Sequence, residues 1–186
     1  MSNGDRSRLV ILDRDGVLNE DSDAFIKSPA EWSPIAGSMR AVARLNQAGY
    51  RVVVATNQSG IARGLFDLDT LGLIHEKMRR ALADVGGHVD GIFFCPHGPD
   101  DGCDCRKPLP GLFEQISQRF DVDLKAVPAI GDSLRDLKAA QAVGAVAMLV
   151  RTGKGLRTLA NPDLDPEIPV FQDLSAAIDT ILETRD

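Results

Sequence analysis

The sequence predicts an α/β fold: a doubly wound, mostly parallel sheet with helices on both faces. Three observations predict it. Short apolar runs rich in valine and isoleucine alternate along the chain with longer stretches of helical periodicity, the pattern of a parallel sheet with crossover helices. The unusual polar residues fall where the apolar runs end, and in open α/β sheets ligands bind beyond the carboxyl ends of the strands. The length, 186 residues, suits one α/β domain with a real core and is short for two, so residues 1–186 are expected to form a single unit.

The elements follow in order. Leu9–Leu12, Val52–Ala55, Gly91–Phe94, Val127–Ile130 and Ala147–Val150 are the predicted strands. Between them, Gly37–Ala48 places Met39, Val42, Ala43 and Leu45 at helical spacing and stops at Gly49. Leu68–Val85 repeats Leu71, Ile74, Met78, Leu82 and Val85 with a period near 3.6 and ends at Gly86 and Gly87. Leu112–Phe120 and Leu134–Val143 are further helices, the second stopped by Gly144. Asn161–Pro169 is a surface loop before a short strand near Val170–Phe171, and a last helix runs over Leu174–Leu182.

Bulk properties exclude several classes. A net charge of −6 argues against non-specific nucleic-acid binding, which needs a basic face. No stretch approaches the ~18–20 apolar residues of a membrane span, and the run after MSNGDRSR is too short for a signal peptide. A cytoplasmic protein is therefore expected, with no nucleic-acid or membrane partner. No separate interaction segment stands out, so a monomer is expected. The three cysteines all lie between Cys95 and Cys105, which in a reducing compartment reads first as a metal site.

Four segments carry chemistry. In ILDRDGVLNE, Asp13 and Asp15 lie two residues apart, which in extended chain puts both carboxylates on one side. One carboxylate can attack phosphorus to form a mixed anhydride. The other can protonate the leaving oxygen and later activate water, so burial or neighbouring carboxylates are expected to raise the Asp15 pKa. In VVVATNQSGIARG, Thr56 follows the second strand, where a hydroxyl and backbone N–H groups can hold phosphate oxygens. Lys107 can pair with the nucleophile and the phosphoryl group, and Arg106 can hold a phosphate bidentately. In PAIGDSLRDLKAA, Asp132 and Asp136 lie one helical turn apart. Asp13, Asp132 and the backbone carbonyl of Asp15 would offer Mg²⁺ three oxygens, with Asp136 acting through water. Taken singly, each segment also reads more plainly: a solvated strand end, a capped loop, two exposed cations, or a helix N-cap with a favourable charge behind it.

CPHGPDDGCDCRKP supplies Cys95, His97, Cys103 and Cys105, a ligand set for a closed tetrahedral Zn²⁺ site. Four protein ligands leave no open position, so the role expected of zinc is to pin the loop that carries Arg106 and Lys107. Free buried cysteines beside a surface histidine are the alternative. Trp32 reads as a packing residue rather than a pocket wall, and His75 and His88 are indistinguishable from surface residues.

Together and in this order, the four segments resemble the haloacid dehalogenase superfamily of phosphatases from about Leu9 to Val150. With DRDGVLNED, TNQSGIARG, CPH with CDCRKP, GDSLRDL and VRTGKG, the chain is similar to one subgroup, the D-glycero-D-manno-heptose-1,7-bisphosphate 7-phosphatases. That resemblance implies a sugar-bisphosphate substrate and Mg²⁺, with Asp13 as nucleophile and Asp15 as acid/base. It implies that Thr56 and Lys107 stabilise the phosphoryl group and Arg106 contributes to recognition. Asp21, Ser22, Asp23, Ala24, Asn57, Gln58 and Ser59 would line the substrate site. The product would feed ADP-heptose synthesis for lipopolysaccharide core. The spacing leaves no room for a cap domain. Two features depart. The five residues between His97 and Cys103 are similar to the related histidinol-phosphate phosphatases, and Ser133 stands where some heptose enzymes carry a substrate-contacting lysine. SGIARG favours the heptose group, with Arg63 an extra cation suited to a bisphosphate. A phospho-acceptor receiver module and a non-catalytic zinc scaffold are the rival classes. Both lack part of this set: receivers lack the zinc loop, and a scaffold has no use for Asp15.

Overall fold

The computed structural model describes residues 8–184, so the ends of the expected 1–186 unit lie outside the described residues. The chain forms β1 (Leu9–Leu12), α1 (Ser38–Gln47), β2 (Arg51–Asn57), α2 (Leu68–Ala83), β3 (Gly91–Cys95), α3 (Gly111–Phe120), β4 (Pro128–Gly131), α4 (Leu134–Ala142), β5 (Val146–Val150), α5 (Gly155–Leu159), β6 (Val170–Phe171) and α6 (Leu174–Glu183). The six strands make one sheet in the order β3-β2-β1-β4-β5-β6, every pair parallel. This is the expected doubly wound sheet, and no cap domain is inserted among the described residues. Short α5 and a 3₁₀ turn at Pro29–Glu31 add to the predicted elements.

Strand alternation explains the two cores. Val10 and Leu12 of β1 and Val52 and Val54 of β2 join one cluster with α1, α2 and α6. Leu9, Ile11, Val53 and Ala55 face the other side, against α3 and α4. Both faces of the central strands are therefore buried, and the strands read as unbroken apolar runs rather than alternating ones. Trp32, 1% exposed, sits in the first cluster, in the packing role expected of it.

Topology places the site. From β1 the chain winds outward through β2 and β3, then returns to lay β4 on the other side of β1. The β1–β4 boundary is the switch point, where the loops leaving two adjacent strands diverge and open a crevice. Asp13 leaves β1 there, its N–H donating to the Ile130 carbonyl at 3.0 Å, and Asp132 leaves β4 beside it. The predicted boundaries shift by a residue or two. Most consequential, β2 runs on to Asn57 and β3 to Cys95. Thr56 and Cys95 are therefore strand residues, not loop residues after the strand. Pairing of Thr56 with Phe94 and Asn57 with Cys95 extends the ladder to the site's edge.

The core makes a direct prediction. Leu82 is fully buried on the inner face of α2, far along the helix from the switch point. Leu82→Ala should lower unfolding free energy by about 3 kcal/mol in urea titrations, with an unchanged m-value. A loss below about 1 kcal/mol would contradict the packing described.

Candidate active site

At the switch point, Lys107 organises four elements. Its side chain is 2% exposed, and its ammonium donates to Asp136 Oδ1 at 2.6 Å, to the Ala55 carbonyl at 2.7 Å and to Asp13 Oδ1 at 3.1 Å. An ammonium has three protons, and all three have acceptors. Burial works against the charge, but Asp13 and Asp136 outweigh it and raise the Lys107 pKa above its ordinary value. Asp136 is held the other way: against burial, Lys107 and the Ser133 N–H and hydroxyl (3.0 and 2.7 Å) keep it low.

Asp13 and Asp132 are crowded. Burial first, then Asp136, pushes Asp13 up to about 7. Burial, Asp136 and Asp13 push Asp132 up to about 8, despite the Lys154 N–H at 2.7 Å. Carboxylate oxygens of Asp13, Asp132 and Asp136 lie within 4.8 Å of one another, a hard-oxygen cluster of the kind Mg²⁺ takes. Since both Asp136 oxygens already accept from Lys107 or Ser133, Asp13 and Asp132 are the carboxylates left to bind a cation directly. The glycines here leave no alternative residue. Gly16 has φ +84°, and a Cβ on it would collide with the Asp132 carboxylate; one on Gly131 would collide with Asp136.

Asp15 corrects an expectation. It was expected to titrate high; instead its pKa is lowered. Burial alone would raise it. The fully buried Arg14 overrides this with an Nε bond to Oδ1 at 3.0 Å and Nη2 bonds of 2.9 and 3.1 Å to the two oxygens. Asn19 Nδ2 and Gln58 Nε2 each add a bond at 2.9 Å. Asp15 is thus an ionised carboxylate held by three side chains. Gln58 also donates to Thr56 Oγ1 at 3.0 Å, linking the two predicted motifs.

A cavity of about 220 Å³ opens over this floor. Of the residues expected at the substrate site, it is lined by Asp21, Ser22, Asp23, Thr56, Asn57, Gln58, Ser59, Arg63 and Arg106. Ala24 is the exception: it is exposed and does not line the cavity, whereas Phe25, with φ +67°, and Ile26 do. Arg135 and Lys154 line the cavity without having been expected. Both stand at carboxyl ends of strands, Arg135 in the first turn of α4 and Lys154 after β5, and that position was the available signal. Lys154 Nζ pairs with Asp21 at 2.7 Å, tying the β1 loop to the far wall. Burial and the neighbouring charges of Arg135 and Arg63 lower the Arg106 pKa, so three guanidiniums share one wall.

The second cluster lies behind Arg106. Cys95 Sγ is 3.1 Å from Cys105 Sγ, 3.7 Å from Cys103 Sγ and 3.5 Å from His97 Nδ1, and His97 Nδ1 is 3.3 Å from Cys105 Sγ. A tetrahedral zinc with Zn–S near 2.3 Å puts ligand atoms ~3.5–3.8 Å apart, so the four donors fit that ion. Burial and the neighbouring sulfurs push the Cys105 thiol up to about 12 and burial raises Cys95, whereas hydrogen bonds, from the Arg106 backbone first, outweigh burial and bring Cys103 down to about 7; a bound cation would favour all three thiolates together. The loop is clamped to the sheet as well. Asn57 Nδ2 donates to the Lys107 carbonyl and Lys107 N–H to Asn57 Oδ1, both at 3.0 Å.

Comparison with known proteins agrees with this geometry. A family model described as polynucleotide kinase 3 phosphatase matches residues 8–135, and one described as HAD-hydrolase-like matches residues 104–177. The D-glycero-beta-D-manno-heptose-1,7-bisphosphate 7-phosphatase of Bordetella bronchiseptica is 60% identical over 95% of this chain and 98% of its own. That of Pseudomonas aeruginosa is 54% identical over 94% and 98%. The crystal structure of D,D-heptose 1,7-bisphosphate phosphatase from B. bronchiseptica, complexed with magnesium and phosphate, superposes with a TM-score of 0.93 at 60% identity, covering 95% of this chain and 99% of that one. The Burkholderia thailandensis phosphatase of the same description gives 0.76 at 48% identity, covering 94% and 98%. A chain that shares both fold and sequence with these proteins over nearly its whole length belongs to the D-glycero-beta-D-manno-heptose-1,7-bisphosphate 7-phosphatase family of HAD-like hydrolases.

Proposed function

We propose that this chain hydrolyses the 7-phosphate of D-glycero-beta-D-manno-heptose 1,7-bisphosphate through an aspartyl-phosphate on Asp13, in the cytoplasm, on the route to ADP-heptose and lipopolysaccharide core. The observation that carries the substrate class is the polarity of one cavity. Its floor is a carboxylate cluster around Lys107, and its wall is Arg63, Arg106 and Arg135. A substrate with two phosphates fits that arrangement, one to react and one to be held. Relatives named for the beta anomer support that anomer here.

In the first step an Asp13 carboxylate oxygen attacks phosphorus, the P–O bond to the sugar breaks, and Asp15 gives its proton to the departing oxygen. In the second, water attacks phosphorus, Asp15 takes its proton, and the P–O bond to Asp13 breaks to release phosphate. The ionised resting form of Asp15 is the form the second step needs. For the first, the dianionic phosphate arriving beside it raises its affinity for a proton. Lys107 and Thr56 would stabilise the charge that gathers on the equatorial oxygens. Asp13 and Asp132, with the Asp15 carbonyl, would hold Mg²⁺, and Asp136 would act behind them. Bound there, Mg²⁺ would neutralise the crowded carboxylates and polarise the phosphoryl oxygens. The B. bronchiseptica relative solved with magnesium and phosphate supports that ion. Cys95, His97, Cys103 and Cys105 would hold a structural Zn²⁺.

The histidinol-phosphate reading places one phosphate and a cationic amine in a cavity walled by three guanidiniums, an unfavourable match. Phosphate release from both heptose bisphosphate anomers and from histidinol phosphate decides it. We expect kcat/KM for the beta bisphosphate to exceed that for histidinol phosphate by at least ~100-fold, or ~2.7 kcal/mol. Asp13→Asn should release no phosphate, which also separates an enzyme from a receiver module or a scaffold. The reverse ranking, or an active Asp13→Asn, overturns the reading.

Metal binding should depend on pH in a stated direction. With pKa values near 7 and 8, Asp13 and Asp132 are protonated at pH 6, and Mg²⁺ must displace those protons. Their folded values lie above the unfolded ~3.9. Their contribution to folding is therefore greatest below about pH 4 and is lost as pH rises through 7 to 8. Calorimetric Mg²⁺ affinity should strengthen from pH 6 to pH 8, by up to ~10-fold per pH unit for each proton displaced, and the Mg²⁺-induced rise in Tm should grow with it. A flat affinity would remove both carboxylates from the metal site.

For zinc, one equivalent per chain is expected by elemental analysis of the purified protein. Cys103→Ser should lower both zinc content and Tm while raising proteolysis between residues 96 and 106. Full occupancy in Cys103→Ser would contradict the four-ligand site.

A further inference from the structure

The buried histidine of α2 is absent from the mechanism above, yet it touches the group that holds Asp15. His75 is 6% exposed, on the helix face that also buries Leu71, Ile74 and Met78. Its Nε2 lies 3.2 Å from Arg14 Nη1, and its ring centroid is 6.3 Å from that of Phe94 on β3. Arg14 itself is fully buried.

The donors of Arg14 leave one assignment. A guanidinium carries N–H donors only and stays charged. Nε and Nη2 bond to Asp15. Nη1, on the other side of the fork, meets His75, so the imidazole must present a lone pair at Nε2 and carry its hydrogen on Nδ1. Burial and the adjacent Arg14 charge push the His75 pKa down to about 3, so the ring stays a neutral acceptor wherever the enzyme works. A histidine among apolar helix residues is costly to bury without a partner, and among the described residues its hydrogen-bond partner is the arginine behind the acid/base carboxylate.

We propose that His75 is a positioning residue: it accepts a hydrogen bond from Arg14 and so fixes the fork that aims the Asp15 carboxylate at the reacting oxygen. The inference rests on Asp15 being the acid/base of the reaction. Without the acceptor, Arg14 has a buried N–H with no partner on that side and turns toward another, carrying Asp15 with it. Misplacing a reacting group by about an ångström can cost ~100-fold in rate, while the substrate contacts on the arginine wall are untouched.

Three variants and one spectrum test this. His75→Leu should lower kcat for heptose bisphosphate at least ~10-fold with KM within about threefold of wild type. His75→Gln, whose amide oxygen reaches the position of Nε2, should restore most of kcat. In the wild-type protein labelled with ¹⁵N-histidine, which has three histidines to resolve, His75 should show a protonated Nδ1 and a bare Nε2 from pH 6 to pH 8. An Nε2–H tautomer overturns the proposal whether or not the variants fold. So does a folded His75→Leu with wild-type kcat, or a His75→Gln as slow as His75→Leu, which would make the effect one of packing. Asp15→Asn separates the two levels: if it turns over normally, the mechanism fails; if it is inactive while His75→Leu is not, only the role of His75 fails.

Discussion

The site depends on one buried ammonium. Lys107 has three protons and gives one each to the end of β2, to the residue after β1 and to the first turn of α4. A buried charge of this kind is tolerated only when paired and hydrogen-bonded, and stripping one partner from it typically costs ~3–5 kcal/mol. The strand ends, the helix start and the basic loop therefore cannot move independently. The spacing of Asp13, Thr56, Lys107 and Asp136, scattered over more than a hundred positions of sequence, is set by that single contact and by the parallel sheet beneath it.

The loop that delivers Lys107 has no core of its own. It leaves β3 at Cys95 and returns at α3 through glycines, aspartates and prolines. Two devices hold it. One is the paired hydrogen bonds between Asn57 and the Lys107 backbone, which continue the edge of β2 into the loop. The other is the cluster of three sulfurs and one imidazole, which brings Cys95 at the end of β3 within 3.1 Å of Cys105 just before Arg106. A closed metal site would supply there what hydrophobic burial supplies elsewhere in the chain, and would do so next to Arg106. The basic wall of the cavity and the Cys/His cluster are thus one construction.

Much of this was legible in the sequence, and the parts that were not share a cause. Strands buried on both faces announce themselves as Val/Ile runs, and helices as 3.6-residue periods, because the signals are local. Three of the four motifs were legible because each sits within a few residues of a strand end, and the Arg106–Lys107 pair because it directly follows the cysteine cluster. His75 was not, because nothing in LIHEKM distinguishes a histidine turned inward toward Arg14 from one turned to water. Arg135 and Lys154 were missed because a single cation one turn into a helix, or just after a strand, has no pattern until the sheet brings the strand ends together. Ala24 does not line the cavity, whereas its neighbours Phe25, at a left-handed turn, and Ile26 do, a placement that no local pattern announces. The Asp15 pKa went the wrong way for a related reason. Burial was foreseeable, but the outcome turned on the side chain of the residue just before it, Arg14, folding back over it.

The charge distribution also orients the substrate. The chain is acidic overall, at −6, so attraction of a doubly phosphorylated sugar has to come from the cavity wall. Burial and the charges of Arg135 and Arg63 lower the basicity of Arg106, and a phosphate placed among the three would relieve that repulsion as well as accept their hydrogen bonds. The floor is the opposite case: its carboxylates repel a phosphate until a cation and Lys107 offset them. On the proposed reading, one phosphate would bind where it is stabilised in the ground state, and the other would be held against groups whose stabilisation grows as the bond breaks. Binding energy taken from the remote phosphate can be spent on placing the reacting one. On this argument a monophosphate lacking the remote group should lose turnover as well as affinity, because what the arginine wall provides is position.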